Sequence, residues 1–403
     1  MKQIIKLAWR NIWRKRRRSL IAILSVTFAV FLAVNFRSLQ WGSYDKMIEA
    51  GVKNGGYIQL HSENYWEDKS INDLMEDSDE LRDSILRVSG ITQIIPRLQN
   101  FGLAASYNNS KGAMLIGIEP DVEDQFNKLS EKVQSGNYLN KNSSGVLIAE
   151  GLARYLQLNL QDTLVLFGQG YHGSISAGKY PIEGILKFSN PQMNKMAVYL
   201  PLQLAQEYNG AYGMVSAYML NIEKRQKITD ILSELANKHN HLEIMSWDEM
   251  QPGIKDSINT DTSIATMLLT CLYLIVGFGV VGTIIMMALE RKREFGMLQA
   301  IGLQKSSIQF LLVFEAFILG LLGVILAFCI AAPLVWYMHT NPIPLTGESA
   351  KSFEAMGAEP VIQFAVKPSI FLINGAIVFC IMMLASFFPA MMVRKMKINQ
   401  VIK

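Results

Sequence analysis

Three glycine patterns and a histidine pair carry the residue types and spacings that could bind nucleotide or metal. Gly173-Ser-Ile-Ser-Ala-Gly178-Lys179 has the spacing of a phosphate loop, in which backbone amides cradle phosphates and a following hydroxyl ligates magnesium. Tyr180 stands in place of that hydroxyl, and a strand-like run follows where a helix N-terminus is required. Gly277-Phe-Gly279-Val-Val-Gly282 copies the dinucleotide fingerprint, but it lies within an apolar run with no preceding strand and no ribose-binding acid. Its glycines read as close-packing positions between membrane helices. Gly296 to Gly302, followed by Lys305 and Ser306, has the wrong spacing. His239-x-His241 has no acid or cysteine at ligand distance in sequence and reads as a surface helix end. Ser174-Ile-Ser176-Ala-Gly178 lacks the first glycine of a nucleophile elbow. The chain therefore offers no ATP site of its own, no metal cluster and no hydrolytic constellation.

Two charged features stand out instead. Glu315 lies inside an apolar run, about 10 Å along it at 1.5 Å per residue. A carboxylate there either faces a bundle interior or a partner, or snorkels back to the interface. Just upstream, Ala288 to Ser307 is a charged connector between the apolar runs Ile264–Leu289 and Ile308–Tyr337. Phe295, Met297, Leu298 and Ile301 recur there at near-helical spacing, and Gly296 and Gly302 bracket the turn. That pattern fits a short amphipathic helix, or else an ordinary solvated loop.

The elements that position these residues follow from composition. Half of the 403 residues are hydrophobic and only 18% are charged, the balance of a membrane protein joined to a soluble domain. A span needs about 20 apolar residues, and four runs approach or exceed this. Met1 to Arg18, the connector and Met391 to Lys403 are strongly basic, with only Glu290 and Glu294 against them, whereas Arg37 to Asp261 is net acidic. Short basic pieces beside apolar runs are the positive-inside signature, not a nucleic-acid surface. The expected fold is thus four transmembrane α-helices with a large α+β extracytoplasmic domain between the first two. In order, this gives a cytosolic interfacial helix (1–18), a first span (19–38), the α+β domain (39–262), a second span (263–289), a cytosolic coupling segment (290–307), a third span (308–338), an extracytoplasmic loop (339–368), a fourth span (369–393) and a cytosolic tail (394–403).

Within this plan Ile5, Trp9, Ile12 and Trp13 share one helical face, suited to a headgroup layer with anionic lipid. The polar domain alternates strand-like and helical stretches, with helical extensions expected around Tyr44–Val52 and Glu249–Ile258. Gly136–Gly145 and Gly168–Gly178 read as exposed loops or hairpin tips. Cys271, Cys329 and Cys380 each fall in an apolar run and read as small hydrophobes packed in lipid or between helices.

This layout resembles the FtsX-like and MacB-like permeases of ABC transporters, closest in arrangement to lipoprotein-releasing permeases of the LolC/LolE type. The most specific match is Glu290-Arg-Lys-Arg-Glu294 followed by Met297-Leu-Gln-Ala300-Ile-Gly302. Arg10-Asn11, Glu315 with Gly320 and Gly323, and Phe388-Pro389-Ala390 support it. In the polar domain, Gly56–His61, Gly117–Pro120, Gly145–Arg154 and Val198–Gln203 look like the MacB-type periplasmic core. There are departures: no ATPase domain is fused to these residues, Ile398 and Asn399 replace a common acid and proline, and Gln161-Asp162 replaces a common Gly-Asp.

The resemblance implies a bacterial inner-membrane permease with both termini cytosolic, paired with a second copy or a sister permease. It implies two ABC ATPase subunits that hold ATP and magnesium, so that this chain binds no cofactor and is not itself an enzyme. Glu290, Arg291, Glu294, Met297, Ala300 and Gly302 would serve ATPase coupling, and Glu315, Gly320 and Gly323 intramembrane or dimer packing. Mechanical movement of the periplasmic domain would release lipoproteins or another hydrophobic cargo. The alternatives are an FtsX-type scaffold activating a cell-wall hydrolase and MacB-type efflux of drug or peptide.

Overall fold

The computed structural model describes residues 2–14, 16–223, 227–348, 350, 353 and 360–394. The expected basic tail with Lys395 and Lys397, and the positions Ile398 and Asn399, lie outside the described residues, as do the side chains of Ile5 and Arg394. The chain forms two compact units. One comprises Met1–Asp45, Ser257–Pro344 and Val361–Lys403, the other Lys46–Asp256 and Leu345–Pro360.

Among the described residues, four helices are long and apolar enough to cross a membrane: Arg16–Gly55, Pro252–Glu290, Lys305–Thr340 and Pro368–Arg394. They are called spans one to four below. The first two have 40 and 39 residues, so each is roughly 60 Å long, twice the thickness of the hydrocarbon layer. Span two begins at Pro252, not at Glu249 as the sequence suggested. Proline fits the first turn of a helix, where its missing amide costs nothing. Trp247–Met250 is a separate turn, closed by a capping box between Ser246 and Glu249.

The first unit is held by small residues and a few buried polar contacts. Val26, Ala29 and Val30 pack with Val280, Ile284, Ala316, Leu319 and Met382 in one apolar cluster. Tyr273 donates to Asn374 Oδ1 at 2.6 Å between spans two and four. Toward the other end of spans one and two, Tyr44 donates to Asp261 Oδ2 at 2.6 Å, and Arg37 donates to Gln40 Oε1 at 2.7 Å. Cys271, Cys329 and Cys380 are exposed on the faces of their spans.

The second unit is an α+β domain on a mixed 10-stranded sheet. Its strand order is Leu242–Ser246, Ile58–Ser62, Ala217–Ile222, Ile91–Ala105, Ser110–Ile118, Ala197–Pro201, Val146–Ala149, Ile175–Leu186 and Val133–Gly136; Thr163–Gln169 pairs with both Ile91–Ala105 and Ile175–Leu186. Ser110–Ile118 runs parallel to Ala197–Pro201, and Val146–Ala149 parallel to Ile175–Leu186. Apolar residues on the covered faces, among them Ile58, Leu60, Leu98, Ile116, Leu147 and Ile148, form one continuous core. Helix Leu202–Asn209 lies so close that a β-carbon on Gly117 would sit 2.4 Å from that of Ala205. The Gly168–Gly178 stretch is a hairpin tip as expected, although its strands run further in, with Gln169 opposite Ile175 and Gly178 opposite Leu166. Lys179 therefore lies on a strand. Gln161 adopts a φ of 66°, so the turn that glycine enters freely is kept at a cost of about 1 kcal/mol.

His61 is fully buried on its strand, with Nε2 2.8 Å from Gln59 Oε1 and the rings of Tyr65 and Trp66 each 5.5 Å away. Burial, aided by the charge of Lys69, lowers its pKa from 6.5 to about 4. The folded protein keeps the imidazole neutral while the unfolded chain protonates it, so stability is complete above pH 6.5 and falls as the pH drops toward 4. At 1.36 kcal/mol per pH unit the loss approaches about 3 kcal/mol. Thermal melts of the purified protein between pH 7 and 4.5 should show this slope, and His61→Gln should flatten it.

Candidate functional site

The connector begins where span two ends at Glu290. Arg291, at φ −96° and ψ 8°, separates it from a second helix, Lys292–Ala300. That helix closes on Gly302, whose φ of +100° places it where side chains are strained. Leu303 N–H bonds the Leu298 carbonyl at 3.0 Å, Gln304 is extended, and span three starts at Lys305. The expected short helix is present, and Gly302 ends it. Gly296, expected at its border, is instead buried within it.

The apolar residues of the connector do not form one face, contrary to the sequence expectation. Phe295, fully buried, and Leu298 turn inward and pack with Ala288, Ile308 and Leu312. Met297, Ala300 and Ile301 follow the same i, i+3, i+4 rule on the opposite side, with Met297 57% and Ile301 84% exposed. A pattern of apolar residues three and four apart, read in one dimension, merged two faces that the helix separates.

The charges form a chain. Arg291 is 7% exposed, and its Nη1 donates to both carboxylate oxygens of Glu315 at 2.8 and 2.7 Å. Its Nε donates to Glu294 Oε2 at 3.1 Å, and its guanidinium lies over the Phe295 ring at 5.2 Å. Asn11 Nδ2 donates to Glu315 Oε1 at 2.8 Å. Glu294 is also paired with Arg14, and Glu290 with Arg18. Of the two readings of Glu315, the bundle-interior one holds: its carboxylate is neutralised by an arginine reaching in from the end of the span. Gly320 and Gly323 lie further along the same helix, Gly320 against Met382 and Phe379, and Gly323 against Val26 and the Ile23 carbonyl.

The expected coupling residues thus divide. Met297, Ala300 and Gly302 are exposed, Arg291 is internal, and the side chains of Glu290 and Glu294 are about a third exposed, at 30% and 32%, while facing arginines. Asn11, Arg14 and Arg18 were not among the expected site residues. A signal for two of them exists, because Arg14 and Arg18 are spaced like Glu290 and Glu294.

Residues 266–398, which contain the connector and spans three and four, match the FtsX-like permease C-terminal family model. Over 338 residues, 79% of this chain and 80% of its relative, the sequence is 22% identical to an uncharacterized ABC transporter permease of Methanocaldococcus jannaschii. Among solved structures, the extracellular domain of the noncanonic ABC-type transporter YknZ from Gram-positive bacteria is 16% identical, covering 47% of this chain and 99% of that one, with a TM-score of 0.34. The periplasmic region of MacB from Actinobacillus actinomycetemcomitans is 14% identical, covering 51% and 95%, with a TM-score of 0.36. Residues 266–398 carry an FtsX-like permease domain, and the chain is a homologue of ABC transporter permeases. Such a permease works with ATPase partners.

Proposed function

We propose that this chain is the transmission subunit of an ABC transporter in a bacterial inner membrane. Two separate ATPase subunits, which hold the ATP and magnesium, dock on the connector from the cytosol. Their closure moves the large domain outside the membrane and releases lipoproteins or another hydrophobic cargo from the outer leaflet, with no passage of cargo through the bilayer. A second copy or a sister permease completes the unit.

The observation that carries this reading is the ridge of Met297, Ala300 and Ile301. An apolar surface on a polar turn, backed by its own small core, is the kind of feature that a partner groove covers. Exposed Lys292, Arg293 and Lys305, together with Arg10, Arg16 and Arg17, support a cytosolic setting. Trp9 and Trp13, exposed and edge-stacked at 5.9 Å, suit a helix lying on membrane lipids. The apolar stretch of span two is 22% buried against 39–44% for the others, which leaves it the broadest face for a second permease.

Docking is tested by co-purification from the native host. An ATP-binding subunit is expected to accompany the wild-type chain and to be lost with Met297→Glu combined with Ile301→Glu. Retention of the subunit by that variant overturns the proposed docking surface. These outward residues give a cleaner test than Glu290 or Glu294, whose reversal would also disturb Arg18 and Arg14.

A further inference from the structure

We propose that Arg291, Glu315 and Asn11 are positioning residues that lock the connector helix to span three, so that a push on the connector moves the span as one body. This rests on the coupling role proposed above.

The geometry has three parts. First, Arg291 is the single residue between the helices Pro252–Glu290 and Lys292–Ala300, and it is the hinge between them. The other end of the connector is open: Ile301 is 84% exposed, and a β-carbon on Gly302 would meet nothing within 4 Å. The nine-residue helix is held on its inner side by Phe295 and Leu298 against Ala288, Ile308 and Leu312, and by Glu294 paired with Arg14, contacts that sit away from the hinge itself. Second, the hinge residue is also the anchor. One guanidinium nitrogen bonds both Glu315 oxygens, and the buried Phe295 ring underlies it. Glu315 belongs to span three, so the hinge is closed onto the next span and not onto its own. Third, Asn11 adds the N-terminal helix Lys2–Arg14 to the same carboxylate. That helix is fixed independently by buried Ala8 and Ile12, and by Ser19 Oγ donating to the Ile12 carbonyl at 2.8 Å.

A carboxylate in an apolar run is expensive, and replacing a buried pair with apolar residues is often neutral for stability. What the pair adds is direction, since the planar guanidinium is held at Nη1 by Glu315 and at Nε by Glu294 and so tolerates few angles.

The test measures the distance between nitroxides at Gln299→Cys and Ile325→Cys, positions outside the docking ridge, by double electron–electron resonance, with Cys271, Cys329 and Cys380 replaced by Ala, in nanodiscs. The wild-type background should give one narrow distance. Glu315→Gln should lose it to a broad distribution, and Asn11→Ala, which keeps the ion pair, should broaden it less. Arg291→Glu combined with Glu315→Arg should restore the narrow distance, which a mere packing role would not. A distribution for Glu315→Gln as narrow as the wild type, or a swap as broad as the single variant, overturns the proposal. In the complex with its co-purified ATPase, ATP and vanadate should leave the wild-type distance unchanged and shift that of Glu315→Gln; a wild-type shift as large as the variant's also overturns it. If no ATPase accompanies the wild-type chain, the coupling role fails, while the nucleotide-free comparison still decides the lock.

Discussion

Glu123→Ala is expected to destabilise the large domain by about 3–5 kcal/mol, the range for removing one partner of a buried ion pair. Arg97 is 3% exposed and Glu123 is fully buried. Their contact is two-pronged, with Nε to Oε2 at 3.0 Å and Nη2 to Oε1 at 2.6 Å. Asn127 also donates to Glu123. Arg97 sits on the strand Ile91–Ala105 opposite Ala217 on one side and Ile118 on the other, in the middle of the sheet. Glu123 comes from helix Pro120–Asn127, so the pair ties that helix to the sheet. Without Glu123 the buried guanidinium loses its two-pronged partner, and the cost is that of breaking a buried pair from one side. Replacing both partners, Arg97→Met with Glu123→Leu, should recover most of the loss. Chemical or thermal unfolding of the purified chain reads both values. A loss below about 1 kcal/mol for Glu123→Ala would show instead that the site admits water, as in exposed pairs.

Such a pair was invisible in the sequence, and the reason is general. Runs like Ile308–Tyr337 declare a span by length and composition alone, a one-dimensional signal, and each of the four apolar runs is a helix. Gly302 likewise marks a helix end because a positive φ selects for glycine. Sheet order carries no such mark. Nothing near Ser110–Ile118 says that Ala197–Pro201 will lie beside it. Ile91–Pro96 is hard to read as part of a central strand, because a proline inside a run argues against one. Pro96 is tolerated because pairing with Ser110–Ile118 starts only at Arg97, so on that side no ladder bond is lost. The site was legible as a segment but not as a contact set. The acids and arginines were all in view, yet which would meet depended on an N-terminal helix folding back onto span three, as the Asn11 to Glu315 bond shows.

Gly323→Leu is expected to loosen the membrane unit by about 3 kcal/mol, the upper end of the usual range for overpacking. A β-carbon there would lie 2.7 Å from Val26 Cβ and Cγ1 and 3.1 Å from the Ile23 carbonyl oxygen. Those atoms belong to the backbone and the first branch of span one, so they yield only if the helix itself moves. The same approach lets Thr27 donate to the Gly323 carbonyl at 3.0 Å, a bond that separation would break in a medium with no water to replace it. Gly320 is the control. Its closest neighbour, the Met382 sulfur at 2.9 Å, is near the end of a flexible side chain that can swing aside. Gly320→Ala should therefore cost much less than Gly323→Ala, although both glycines face the bundle. Val26→Ala, by clearing the space, should recover part of the Gly323→Leu loss. Thermal unfolding in detergent orders these variants, and equal costs at the two glycines would mean that span one is not held here by close backbone approach. Gly323 lies two turns beyond Glu315 on the same helix. Span three is thus gripped by span one at Gly323 and by the connector at Glu315, and a variant that loosens only the first grip should leave the Gln299 to Ile325 distance narrow.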